Sequence, residues 1–287
     1  MKIIIWGHKL HTHTHSYIHA AFYKAFRNMG YECYWFDDKD DVSSFNFSNS
    51  LFITEGQVDK KIPKQNDCLY VLHNCNGDEY GSCRRIGLQT YTNDRKNDKG
   101  HIIYFDGSTL TMCWATDLLP HEINTDLQFN NNNNKSITWV GTIGEGIHGN
   151  DTELNPFIEK ATKNRINFYH SNPWGNPKSF EENVRLIRES YLAPAIVGKW
   201  QKENGYVPCR IFKNISYGKL GITNSKIVKD IFGDFVVYSD NTSELYDLAA
   251  IKDKSITHKE MKDAMEFVKN NHTYINRAKS ILECFNL

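Results

Sequence analysis

The sequence predicts an α/β protein built from two parallel-sheet units that face each other across a cleft. Three observations lead there. Short apolar runs alternate with amphipathic stretches, as in β-α-β units. The pattern stops near the middle at an unbroken tract, Asn130 through Asn134, and then starts again. The 287 residues exceed one ordinary core and suit two domains of roughly 130–150 residues. The expected divisions are 1–129, an Asn-rich linker at 130–135, a second unit at 136–257, and a C-terminal helical segment at 258–287.

Residues 2–6 (Lys-Ile-Ile-Ile-Trp) are mostly apolar, as in a central parallel strand. A polar loop, Gly7 to His15, follows. Ser16 is a fitting N-cap. Ile18, Ala21, Phe22, Ala25, Phe26 and Met29 then recur at three and four residues, the stripe of an amphipathic helix. Gly30 stops it. Tyr31 to Phe36 is the next strand, closed by Asp37-Asp38, and a right-handed crossover is implied. Leu51 to Thr54, Cys68 to Leu72 and His101 to Phe105 read as further strands, each ending in a polar loop.

After the Asn tract, Ser136 to Val140 is a strand ending in Gly141-Thr-Ile-Gly-Glu-Gly146. Residues 151–163 read as a helix, 166–169 as a strand, 179–190 as a helix and 193–197 as a short strand. Phe212 to Tyr217 is helical, and 221–223 and 235–238 are strands. Residues 243–251 and 258–285 are helical. Two Rossmann-like units joined by a polar hinge account for this order.

Composition narrows the function. Formal net charge is +0 and charged residues make up 24% of the chain. No global field therefore draws it to nucleic acid or an anionic membrane. No run approaches the roughly 20 apolar residues of a membrane span, and the N-terminus reads as a strand rather than a signal peptide. The seven cysteines are scattered without metal-knuckle spacing, which favours reduced thiols and a cytoplasmic location.

Three segments carry candidate chemistry. The turn at 141–146 follows a strand, and its glycines let backbone N–H groups approach a phosphate. Arg210 stands at a helix entrance, where a cation and the helix amides together can hold a diphosphate; pairing with Asp230 or Glu203 is the alternative. The loop His8-Lys-Leu-His11-Thr-His13-Thr-His15 follows the first strand and faces the cleft. Its imidazoles can act as a general base or bind an acceptor. They can also converge on zinc, although the chain names no third ligand. Asp38, Glu55 and Asp106 are carboxylates at strand ends and hence candidate bases. Trp174 is a candidate for stacking on a base or sugar.

Segment 206–225, Tyr-Val-Pro-Cys-Arg-Ile-Phe-Lys-Asn-Ile-Ser-Tyr-Gly-Lys-Leu-Gly-Ile-Thr-Asn-Ser, resembles the C-terminal motif of nucleotide-sugar glycosyltransferases with the GT-B fold. Pro208, Arg210, Phe212, Gly218, Thr223 and Asn224 match its pattern, with Gly218 one residue early. Segment 235–245 resembles the family's next strand and helix, and Val140-Gly141-Thr142 its opening turn. The resemblance covers about 136–251. It implies a GT-B-like pair of Rossmann-like domains, with the final helix packing back on the first.

It also implies transfer of a sugar from a nucleotide-diphosphate sugar to a hydroxyl acceptor such as a glycan; with the leaving phosphate charge stabilised by Arg210 and amides, no metal or other cofactor is expected. The implied donor-binding residues are Gly141, Thr142, Gly144, Arg210, Lys213, Asn214, Asn224 and Ser225. Glu55, Asp38 and His15 are the candidate bases, and His11 and His13 the acceptor contacts. Lys213 stands where the family has a Glu that holds donor hydroxyls. A cation cannot accept those hydrogen bonds, so a phosphate contact is expected there. A viral or phage transferase acting on modified DNA bases, and a non-catalytic nucleotide or sugar binding protein, are the alternative readings.

Overall fold

Alternation of apolar runs and stripes builds a largely parallel α/β structure. The computed structural model describes residues 1–9, 14–92, 103–127, 134–172 and 175–287. The first sheet has seven strands: β1 (Lys2–Trp6), β2 (Cys33–Phe36), β3 (Ser50–Glu55), β4 (Leu69–His73), β5 (Arg84–Gln89), β6 (Ile103–Phe105) and β7 (Thr109–Met112). Their spatial order is β2-β1-β3-β4-β5-β7-β6. All neighbours are parallel except the β6–β7 hairpin. Ile3, Ile4 and Ile5 are wholly buried because β1 is covered on both faces.

The two faces are covered differently. Helix α1 (Thr14–Asn28) lays its Ile18, Phe22, Ala25 and Phe26 stripe on one face. The other face has no α-helix among the described residues, only the short 3-10 turn Gly77–Tyr80. There Phe47 and Tyr80 from the connections between β2 and β5 form an aromatic cluster with Tyr70 of β4, Trp6 and Phe52.

A second set of strands follows the Asn tract, of which 130–133 lie outside the described residues. These are β8 (Ser136–Val140), β9 (Asn167–Ser171), β10 (Pro194–Ala195), β11 (Gly221–Thr223) and β12 (Val236–Tyr238). β8 pairs with β9, and β10-β11-β12 form a row, all parallel. The Tyr191 N–H donates to Ser136 O at 2.7 Å, so the chain entering β10 runs beside β8. The spatial order is thus second, first, third, fourth, fifth, as among the first five strands of the first sheet.

The helices here are α2 (Asp151–Lys163), α3 (Phe180–Glu189), α4 (Lys199–Glu203), α5 (Cys209–Ser216), α6 (Lys226–Phe232), α7 (Thr242–Ser255), α8 (His258–Asn271) and α9 (Tyr274–Cys284). Several boundaries differ from expectation; α1 already runs from Thr14, which puts Ser16 inside the helix rather than at its cap. Helix α5 begins at Cys209, not Phe212, because extended Pro208 serves as its N-cap. This puts Arg210 in the first turn. The segment 258–285 is two helices. His272 leaves helical geometry at φ −133°, and Thr273 with Asn276 forms a fresh capping box. Helix α8 packs on α5 and α9 on α1. Fully buried Arg277 pins this break by donating to Cys113 O, Trp114 O and His272 Nδ1.

Candidate functional site

In a doubly wound sheet the crevice opens where strand order reverses, at the carboxyl ends of the strands. In the second set that point lies between β8 and β10, and a cavity of about 180 Å³ sits there. Trp139 to Thr142 line it from the end of β8, and Ile196 and Val197 from beyond β10. Asn183 reaches it from α3, Gln201 from α4, and Cys209, Arg210, Lys213 and Asn214 from α5. Tyr17 of α1 closes it from the first sheet's side.

Arg210 dominates the electrostatics. Its guanidinium lies 3.8 Å from the centre of the Trp139 ring and donates to Val140 O at 2.7 Å. No carboxylate among the described residues lies within ion-pair distance of it. Asp230 pairs with Lys226, and Glu203 is 3.8 Å from Lys199. Burial lowers the Arg210 pKa to about 10, which still leaves a cation at neutral pH. Gly141 makes room for it: a Cβ there would lie 2.5 Å from Arg210 Nη2, and φ is +138°. A unit charge at 4 Å is worth about 4 kcal/mol at an effective dielectric of 20. The amino end of α5 adds about 0.3–1 kcal/mol. The guanidinium therefore sets the preference for an anion.

Lys213 is placed differently from its expected role. Its Nζ lies 2.9 Å from Asp117 Oδ2, with the side chains 11% and 6% exposed, and 4.3 Å from the centre of the Tyr17 ring. Tyr217 OH donates to Asp117 Oδ1 at 2.6 Å. Burial pushes the Lys213 pKa down, but Asp117, with smaller help from Cys209 and Tyr17, outweighs it and the net shift is upward. Lys213 is thus a cation matched by an anion. Asp117 follows β7.

The other expected donor contacts divide. Gly141, Thr142 and Asn214 line the cavity. Asn214 also ties α5 to the strand before it, through Nδ2 to Ala193 O at 2.7 Å. Gly144, Asn224 and Ser225 are not among the lining residues. Gly144 packs against Gly149, and its N–H donates to Asn150 Oδ1. Asn224 uses both ends of its amide on the Val197 backbone. Ser225 is the N-cap of α6 with a buried hydroxyl.

Asp38 and Glu55 lie on the first sheet's carboxyl edge, outside the cavity lining, whereas Asp106 sits at the opposite, amino edge because β6 runs antiparallel. Asp38 is a structural clasp. It accepts from Trp6 Nε1 and from the N–H groups of Lys60 and Lys61. Burial alone would raise its pKa, but these donors hold it below the usual value. Glu55 ends β3 at the first sheet's own switch point. Its Oε1 accepts from the Gln57 N–H and Asn74 Nδ2, while the buried Oε2 has no hydrogen-bond partner among the described residues. Asp106 caps the β6–β7 turn through Ser108 and Thr109. His11, His13 and Trp174 lie outside the described residues. His15 falls in the first turn of α1, and its side chain is likewise outside them. His8 Nδ1 stands 3.2 Å from buried Asp59 Oδ2.

Sequence reasoning missed Asp117, Tyr17, Asn183 and Gln201. The signal for Asp117 was strand β7, which would have placed it on the sheet's carboxyl edge. Among the described residues no group of three or more His, Cys, Asp or Glu is placed to hold a metal, and no helix is long and apolar enough to cross a membrane. Compared with known proteins, the chain matches no family model, no curated protein and no solved structure.

Proposed function

We propose that the protein is a GT-B-type glycosyltransferase that moves a sugar from a nucleotide-diphosphate sugar to a hydroxyl acceptor. The observation that carries this reading is Arg210: a cation without a carboxylate partner among the described residues, stacked on Trp139 in a cavity at a strand-order switch point. The two sheet systems support it. Tyr17 and Asp117 follow carboxyl ends of the first sheet and meet Lys213, beyond the carboxyl end of β10 in the second set.

In the reaction the acceptor oxygen bonds to the anomeric carbon as the bond to the diphosphate oxygen breaks. Negative charge grows on the leaving diphosphate, and Arg210 with the first amides of α5 stabilises it. No divalent metal is required by that arrangement. The acceptor proton passes to a base on the first sheet's edge, and Glu55 is the carboxylate we assign.

Isothermal titration with UDP, GDP, dTDP and their sugars tests the reading. At least one should bind, and Arg210→Ala should weaken it by tenfold or more. Unchanged donor affinity in Arg210→Ala would remove the diphosphate role. Donor binding without sugar release or transfer would point to a binding protein.

A further inference from the structure

The cavity presents two cations, yet one is cancelled from the opposite sheet. Lys213 Nζ lies 2.9 Å from Asp117 Oδ2, and Tyr217 OH holds the other oxygen at 2.6 Å. Tyr17 lies against the ammonium. A pair this buried and this close does not separate cheaply, because either partner alone would be an uncompensated buried charge. To a ligand the pair is close to neutral. Arg210 remains as the uncompensated positive charge among the described lining residues.

We infer that Asp117 sets the charge of the cavity and, through it, the preference for an intact, esterified diphosphate over a free nucleoside diphosphate. The inference rests on the donor reading above. An esterified diphosphate carries two negative charges. Loss of the sugar exposes a terminal phosphate whose second ionisation falls near pH 6, so the product approaches three charges above neutrality. Each extra cation in the cavity favours the more highly charged species. With Lys213 uncompensated, the cavity would hold the leaving product more tightly than the donor. Asp117 removes that bias while the Lys213 ammonium keeps its place against Tyr17. Asp117 is a charge-setting residue that acts through Lys213.

The test compares wild type, Asp117→Asn, Lys213→Met and the double variant by isothermal titration. The probes are inorganic pyrophosphate, UDP, GDP, dTDP and the corresponding nucleotide sugars. Asp117→Asn should tighten pyrophosphate and the bound nucleoside diphosphate by roughly tenfold, and the nucleotide sugar by less. Lys213→Met should weaken all of them. The double variant, which removes a neutral pair, should return to within about threefold of wild type.

A double variant as weak as Lys213→Met would mean that Lys213 itself grips the anion, and the inference falls. Unchanged pyrophosphate affinity in Asp117→Asn also overturns it. If Asp117→Asn does not fold, Lys213→Met and the double variant decide the matter alone. Pyrophosphate affinities that follow the charge pattern while no nucleotide binds would keep the charge-setting role and overturn the donor reading.

Discussion

Replacing Gly141 by Ala tests whether the backbone and Arg210 were shaped for each other. A Cβ at 141 would lie 2.5 Å from Arg210 Nη2, and the φ of +138° is one that L side chains rarely adopt. The backbone strain costs about 1–3 kcal/mol. Displacing the guanidinium forfeits its stacking on Trp139, about 0.5–2 kcal/mol, and its bond to Val140 O, about 1.5–3 kcal/mol. The guanidinium is a flexible tip and recovers part of this by moving. The total is therefore expected near 3–5 kcal/mol in wild type, from the strain and a partial loss of both contacts. In an Arg210→Ala background only the strain remains. The coupling in a double-mutant cycle should be about 2 kcal/mol, read from urea denaturation by circular dichroism. Equal cost in both backgrounds would show that Arg210 does not occupy the space over Gly141.

Three further outcomes are expected. Asn224→Leu strips both partners from the Val197 backbone and should cost about 2–4 kcal/mol by urea titration; a loss under 1 kcal/mol (roughly one ordinary hydrogen bond) would contradict that clasp. Arg277→Met leaves Cys113 O and Trp114 O without their donor and should cost about 3–5 kcal/mol, visible as a lowered Tm. His272 is held neutral by burial, with Arg277 adding to the effect, at a pKa of about 2. Its unfolded value is near 6.5, so below that pH only the unfolded chain gains the proton. Stability should then fall by up to about 1.4 kcal/mol per pH unit from 6.5 downward. His272→Gln should flatten that slope in urea midpoints measured between pH 5 and 7, and an unaltered slope would exclude His272 as its source.

How much was legible follows from which signals were local. The stripe from Ile18 to Met29 and the run Lys2 to Trp6 announced α1 and β1, because burial on one stripe or both faces leaves a pattern in the residues themselves. Strand β5, Arg-Arg-Ile-Gly-Leu-Gln, carries charge and glycine and did not read as a strand. Strand β7, with two threonines in four residues, was equally silent. Missing β7 hid Asp117. The cavity's cation at Arg210 was readable from helix-start chemistry, whereas the state of Lys213 was not. Its partner lies 96 positions earlier in the chain, and no local pattern reports a pair that only tertiary packing creates. The polar ends of Asn224 looked like ligand groups for the same reason: sequence shows the amide, not the Val197 backbone that consumes it.

Helix α9 has a bearing on how the chain is made. Its Ala278, Ile281 and Leu282 cover the same face of the first sheet as α1. Strand β7, the last of that sheet, leaves the ribosome about 170 residues before α9 does. At 5–20 residues per second, the first sheet waits roughly 10–30 s with part of its apolar face bare. The product is then a sheet whose apolar face is finished by a helix made roughly 170 residues after its final strand. Vectorial synthesis would expose that face to chaperones, and an arrest-peptide force profile should register its burial only once α9 emerges.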